Sequence, residues 1–191
     1  MNRTDSRFVA TRMGIQTMLK MAIWKPINPT TSDVDELVRV GQTVHDPSLD
    51  EGADVFLERV QLFPQGCMVL VEDGHIVGYA ISHPILRDCP PALNTKLGAV
   101  PTNADEYYIH DIAILPEFRG KGHAAECIDK ILRVADQYPT TSLISVYGTA
   151  SFWGRYGFAP VPLLEGHLAK KLASYGEDAQ YLRRQNKECS R

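Results

Sequence analysis

Cysteine is scarce in this chain of 191 residues, and the four present (Cys67, Cys89, Cys127 and Cys189) include no Cys-x-x-Cys pair. That excludes a zinc ribbon, a dithiol redox motif and a disulfide-stapled scaffold. The four read instead as reduced, mostly buried thiols of a cytoplasmic protein. Long apolar runs are missing too. No stretch approaches the roughly 18 apolar residues that span a bilayer. Residues 13–19 are broken by Gly14, Gln16 and Thr17, so they lack a signal-peptide core, and residues 1–20 read as a loose N-terminal extension. Neither sign of charge dominates: 20 Lys and Arg against 23 Asp and Glu leave a net charge of -3, which argues against nucleic acid as a general partner. No internal repeat, low-complexity tract or nucleophile elbow is present, and the six histidines show no metal-ligand spacing.

What the chain does have is one distinctive stretch, Ile112-Ala113-Ile114-Leu115-Pro116-Glu117-Phe118-Arg119-Gly120-Lys121-Gly122-His123-Ala124. An apolar strand enters it and a helix leaves it. The glycines let the backbone turn sharply. The first amides of the helix lack intrahelical acceptors and can donate to an anion, with Arg119 and Lys121 adding positive charge. No Ser or Thr follows Lys121 as a P-loop requires, and Gly120 and Gly122 do not open a GxGxxG dinucleotide motif. An ordinary basic strand-to-helix turn is the competing reading.

Around this stretch the pattern predicts an α/β (α+β) domain over residues 21–183, with 184–191 as a frayed tail. Residues 21–25 form a first strand. Helices follow from Thr31-Ser32-Asp33 onward and over residues 53–62, separated by the break His45-Asp46-Pro47-Ser48. Strands at 67–72 and 75–82 flank the hairpin pair Asp73-Gly74. Residues 83–105 carry four prolines and read as a flap on the substrate side, with a short helix near 92–97. Residues 107–115 form a strand, 122–137 a helix and 142–147 a buried strand, a βαβ unit with parallel strands. A short helix at 150–156 and an edge strand limited by Pro160 and Pro162 come next. The segment 168–174 is ambiguous, and 179–183 gives a last strand.

Arg119-Gly120-Lys121-Gly122-His123-Ala124 fits Arg/Gln-x-x-Gly-x-Gly/Ala, and Ala150-Ser151-Phe152-Trp153-Gly154-Arg155-Tyr156-Gly157-Phe158 lies about thirty residues beyond it. The chain thereby resembles the GNAT superfamily of acyl-CoA-dependent N-acetyltransferases. The resemblance implies a mixed, mostly antiparallel twisted sheet of six to seven strands with helices on both faces and a β-bulge in the fourth strand. It implies acetyl-CoA as cosubstrate, no metal, and transfer of acetyl to a small-molecule or peptide amine in a ternary complex. Main-chain groups at Ile112, Ala113 and Ile114 would meet the thioester arm. The loop Arg119, Gly120, Lys121, Gly122, His123 and Ala124 would hold the pyrophosphate, with Phe152 beside the cofactor. Family members often dimerise, so a homodimer is one assembly to expect, with neither membrane nor nucleic acid as partner.

Strand alternation puts Tyr108, His110 and Ile112 on one face. His has an ordinary pKa near 6.5, suited to a base for the amine, and the serotonin N-acetyltransferase branch places bases at the positions of His110 and Tyr108. A hydrogen-bonded core histidine is the alternative. Asp111 falls on the opposite face unless a bulge turns it, and then it orients a neighbour or meets the substrate cation. The family's usual acid, a tyrosine, is replaced by Trp153, a donor only, which the resemblance places at the substrate. Tyr147 and Tyr156 are the substitutes. Glu51, Asp54, Asp88, Asp105 and Glu106 lean toward a cationic acceptor. A catalytically silent acyl-CoA sensor is the alternative function.

Overall fold

A computed structural model describes residues 21–28, 31–162 and 166–187. The N-terminal extension and the last four residues of the tail lie outside the described residues. Asp73 and Gly74 both take positive φ, 52° and 84°, which suits the right-handed twist of a tight hairpin. They join β2 (Cys67–Glu72) to β3 (His75–Ile85). β1 (Ile23–Pro26) pairs antiparallel with β2, and β4 (Glu106–Ile114) antiparallel with β3. α3 (His123–Ala135) then crosses over to β5 (Thr140–Ser145), which runs parallel to β4. β7 (Gln180–Gln185) pairs antiparallel with β5, and the two-residue β6 (Ala159–Pro160) sits on the outer edge. The sheet order is therefore β1-β2-β3-β4-β5-β7-β6, the seven-stranded mixed sheet that the sequence implies.

Helices cover both faces. Val69, Tyr79 and Ala113 share one face by register, and there Tyr79 meets Phe56 of α2 (Ala53–Leu62), while α1 (Thr31–Val44) buries Val34, Leu37 and Val40 beside it. Met68, Ala80 and Ile112 share the other face, where Met68 Sδ lies 3.8 Å from Cys127 Sγ of α3. α3 buries Cys127, Ile128, Ile131 and Ala135 at helical spacing. Ile128 and Ile131 each contribute about 1.5–3 kcal/mol relative to exposure. α4 (Ala150–Gly154) and α5 (Gly166–Ala173) lie in the C-terminal half.

Several boundaries differ from the sequence reading, each for a local reason. β3 runs three residues further, through His83 and Pro84. β2 stops at Cys67 opposite Ile81, so the far part of β3 pairs with β4 alone, and the side of Pro84 that has no N–H needs no partner. No helix forms near 92–97. Asn94 takes a left-handed φ of 51°, and residues 94–98 are tied to the start of α2 instead. Glu58 accepts from the amides of Leu97 (2.6 Å) and Gly98 (3.1 Å). β5 starts at Thr140 and ends at Ser145, leaving Tyr147 in the following turn with φ of 56°. The helix from Ala150 stops at Gly154, before Tyr156. Order also continues past residue 183, because Asn186 Nδ2 donates to the carbonyls of Ala135 and Tyr138 at 2.8 and 2.9 Å. Of the thiols, Cys67 and Cys127 are buried and Cys89 is exposed; Cys189 lies outside the described residues.

Gly66 closes the turn into β2 against β3. Ser82 Oγ donates to its carbonyl at 2.7 Å, and a Cβ on Gly66 would collide with the Ser82 carbonyl oxygen. Gly66→Ala is expected to lower stability by about 3 kcal/mol, read as a lower urea midpoint at unchanged slope. An unaltered midpoint would show that the turn can shift freely.

Candidate active site

β4 carries one residue more than β3 needs. Ile81 pairs with Asp111 and Ser82 with Ile109, so His110 is the extra residue of a β-bulge. This corrects strict alternation. Asp111 shares the α1/α2 face with Tyr79, and His110 leans to the same side, where its ring centroid lies 5.9 Å from that of His83. Ile112 faces α3, away from both.

The bulge also marks where the sheet opens. β4 and β5 pair from Glu106 with Thr140 to Ile109 with Leu143 and no further. Beyond that point the strands separate around a cleft of about 740 Å³. Ile109, His110, Asp111, Ile112 and Ile114 form one wall, with Leu143, Ile144, Val146 and Tyr147 opposite. Arg119, Ala124, Thr149, Phe152 and Trp153 close one end, and His45 and Asp46 border the other. A recess of about 60 Å³ shares His45, His110, Asp111, Ile144 and Val146 with the cleft and adds Leu49, Glu51, Leu93 and Tyr175. Leu93 brings the long proline-containing loop into this recess.

The Arg119–Ala124 loop has the geometry of an anion cradle. Gly120 and Gly122 take φ of 75° and 87°, left-handed values that suit glycine. Gly122 is the N-cap of α3, and Glu126 N donates to its carbonyl at 3.1 Å. The amides of the preceding first turn have no intrahelical acceptor. Arg119 Nε donates to the Ile114 carbonyl at 2.8 Å, folding the guanidinium back onto the end of β4. Lys121 is exposed, its Nζ 4.9 Å from the Phe118 ring centre, and the His123 carbonyl accepts the Trp24 indole N–H at 2.9 Å.

Two histidine–carboxylate pairs stand where cleft and recess meet. His110 Nε2 lies 2.5 Å from Glu51 Oε2, and both side chains are nearly buried. Glu51 also faces Arg59 at 3.5 Å and accepts from Asn94 N at 2.8 Å. Burial pushes the Glu51 carboxyl up, but His110 and Arg59 outweigh it and hold the group down at about 2. The second pair is His45, at the end of α1, with Asp111. Nε2 lies 3.1 and 3.0 Å from the two carboxylate oxygens, and Tyr79 Oη donates to Oδ2 at 2.5 Å. Burial lowers the His45 pKa, yet Asp111, Asp50 and Glu51 raise it further, so the net shift is upward. Nδ1 of each histidine is buried and meets no protein partner.

The structure brings His110, Asp111, Ile112, Ile114, Arg119, Ala124, Tyr147, Phe152 and Trp153 to one cleft. Tyr108, Ala113, Gly120, Lys121, Gly122, His123 and Tyr156 are not among its lining residues. Tyr108 is 1% exposed, and burial drives its phenol well above the ordinary range, which unsuits it to accept a proton near neutral pH. Tyr156 packs in an aromatic cluster with Phe152 and Trp153. The acidic residues are engaged by partners within the protein. Asp54 pairs with Lys96, Asp105 accepts from Arg87 N, and Arg183 bridges Asp88 and Glu106. His45, Tyr79 and Arg59 were not singled out from sequence, and Glu51 only as a loop acid. The sole local hint was that His45 and Glu51 fall in the proline-marked break between two helices, where site residues concentrate.

Residues 33–158 match the family model described as Acetyltransferase (GNAT) family, so the chain belongs to that family. No curated protein matches the sequence. Among solved structures, a GphF GNAT-like decarboxylase in complex with isobutyryl-CoA is similar at TM-score 0.66 and 16% identity, covering 85% of this chain and 98% of that one. Ard1 from Thermoplasma volcanium is similar at TM-score 0.63 and 18% identity, covering 87% and 99%. Naa20 from Chaetomium thermophilum in complex with a bisubstrate analogue gives 0.61 and 17%, covering 86% of each chain. At these identities the likeness speaks for the fold.

The Glu51 carboxyl, ordinarily near 4.5 and held at about 2, makes a contribution to stability that is complete above about pH 4.5 and is lost as pH falls toward 2. Glu51→Gln should therefore flatten the loss of stability between pH 4.5 and 2, measured by urea unfolding at each pH. An acid limb identical to that of the unsubstituted protein would remove the pair from that role.

Proposed function

We propose that this protein is an N-acetyltransferase that moves acetyl from acetyl-CoA to a primary amine by direct attack within a ternary complex. The observation that carries this is the opening of β4 from β5 at the bulge. It leaves a long cleft that joins the helix-capped Arg119–Ala124 loop to two histidine–carboxylate pairs. The loop amides and Arg119 suit a pyrophosphate. The apolar walls of Ile112, Ile114, Leu143 and Phe152 suit a pantetheine arm. The unpaired main chain of β4 beyond Ile109 supplies donors and acceptors for the thioester. The acceptor amine enters from the recess beside His110, Asp111 and Leu93, while Trp153 lines the cleft that holds the donor.

His110 is the proton acceptor in this reading. Glu51 holds Nε2 and fixes the tautomer, so the Nδ1 lone pair faces the amine. Loss of a positioned base costs about 10²–10⁴-fold in rate.

Calorimetric titration with acetyl-CoA, with ATP and NADH as controls, followed by a thiol-release assay over an amine panel, tests the proposal. Selective acetyl-CoA binding with amine-dependent thiol release is the expected result. Thiol release that ignores the amine would replace transfer by hydrolysis or decarboxylation, and absence of acetyl-CoA binding would end the reading. Arg119→Glu with Gly122→Asp should weaken acetyl-CoA by more than about tenfold, equivalent to about 1.4 kcal/mol, in a protein that still folds. His110→Ala should lower kcat by at least about a hundredfold, leaving acetyl-CoA affinity nearly unchanged. A kcat within about threefold of the unsubstituted protein would take the base role away from His110.

A further inference from the structure

Acetyl transfer needs a second proton movement, onto the sulfur that leaves. Trp153 stands where the family places a phenol, and Tyr156 is outside the cleft. We propose that His45, as the imidazolium, protonates the departing thiolate, and that Asp111 and Tyr79 are its positioning residues. This rests on the acetyl-transfer reading of the cleft.

The geometry fixes one edge of the ring and leaves the other available. Nε2 sits between the two oxygens of Asp111, at 3.1 and 3.0 Å. Asp111 is in turn held by Tyr79 Oη at 2.5 Å. A Cβ on Gly41 of α1 would lie 3.0 Å from that phenol oxygen, so a glycine there lets the helix close onto Tyr79. With Nε2–H committed to the carboxylate, the imidazolium has only Nδ1–H to give. That nitrogen is buried without a protein partner, on a ring that lines both cleft and recess. The facing titratable groups are Asp111 on β4, Asp50 and Glu51 before α2, Tyr79 on β3 and Tyr147 after β5. Tyr147 lies with its ring 6.2 Å away at 17°, and its hydroxyl accepts the Asp46 N–H at 2.9 Å. Arg59, the neighbouring cation, is engaged by Glu51. Three carboxylates therefore favour the charged ring over the opposing cost of burial, and the net shift of His45 is upward.

The step balances. The neutral amine nitrogen bonds to the acetyl carbon while the carbon–sulfur bond breaks. One N–H proton passes to His110 Nδ1, and the His45 Nδ1 proton passes to sulfur. The products are the amide and free thiol, and each histidine resets by exchange with solvent. The carboxylate at Nε2 favours the protonated ring, the form a general acid needs.

The test is the pH profile of kcat at saturating acetyl-CoA and amine, with NMR titration of the His45 ring. In the unsubstituted protein the ring should titrate above 6.5, and its midpoint should match the basic limb. Asp111→Asn should move both to lower pH and leave the acidic limb in place. His45→Gln should remove the basic limb and lower kcat by about a hundredfold, with acetyl-CoA affinity within about threefold. The proposal falls if His45 titrates at or below 6.5. It also falls if the basic limb survives in His45→Gln, or if Tyr147→Phe and not His45→Gln abolishes that limb. Absence of thiol release from every amine in the unsubstituted protein would remove the acetyl-transfer reading as well; release with an unchanged limb removes only this one.

Discussion

The insertion of one residue into β4 is the constraint from which the site follows. Without His110 as a bulge, Ile81 and Ser82 would face consecutive residues, and alternation would send His110 and Asp111 to opposite faces. With it, both side chains reach the α1/α2 face, each finding a different partner from the segment between those helices. The same kink turns the strand away from β5, so that main-chain groups of β4 which would otherwise complete a ladder are left for a ligand. A buried backbone group without a partner costs free energy comparable to a lost hydrogen bond. The open edge is thus a stored demand that an extended thioester arm can meet.

Such an opening must be resisted at its other end, and Glu106 does this. It is fully buried at the start of β4, opposite Thr140 of β5, and accepts from Thr140 Oγ1, Tyr181 Oη and Arg183 Nε at 3.0, 2.9 and 2.5 Å. Three strands, β4, β5 and β7, are pinned through one carboxylate. Removing Arg183 would leave the Glu106 carboxylate buried and uncompensated, a change that typically costs about 3–5 kcal/mol. The strands part three residues further along β4, after Ile109. β4 and β5 are thus locked at one end and open at the other, in the form of a V.

The distribution of signal in the sequence follows from the range of each interaction. The hairpin at Asp73-Gly74, α2 and α3 were legible because turn chemistry and helical periodicity are local. The glycine turn at the head of α3 was legible for the same reason, since Arg119, Gly120, Lys121 and Gly122 lie within six residues. Alternation alone could not place Asp111, because a bulge has no signature until the partner strand is known. His45, Tyr79 and Glu51 escaped because their partners lie 32 to 66 residues away in sequence, as in His45 with Asp111, and Arg59 because its role is read only through Glu51. Pro84 misled in the opposite way. It marks a strand end in a central strand but is neutral where the neighbouring strand has already stopped. Residues 92–97 misled as well: the short helix expected there yields to capture of their amides by Glu51 and Glu58.

Those captures give the carboxylates a meaning different from a cationic surface. Glu51 joins the long loop, through Asn94, to the His110 ring and to Arg59, so loop position and imidazole orientation are set by one group. Asp111 joins α1, through His45, to β3, through Tyr79. Each carboxylate thus has its lone pairs committed inside the protein. Beside Glu51 and Asp111, the unpartnered Nδ1 edges of two imidazoles line the recess among the apolar side chains of Leu49, Leu93, Ile144 and Val146. On the proposed amine reading, carboxylates already engaged by an imidazole and a phenol or guanidinium hold an ammonium ion less strongly than free ones would, which favours the neutral amine able to attack.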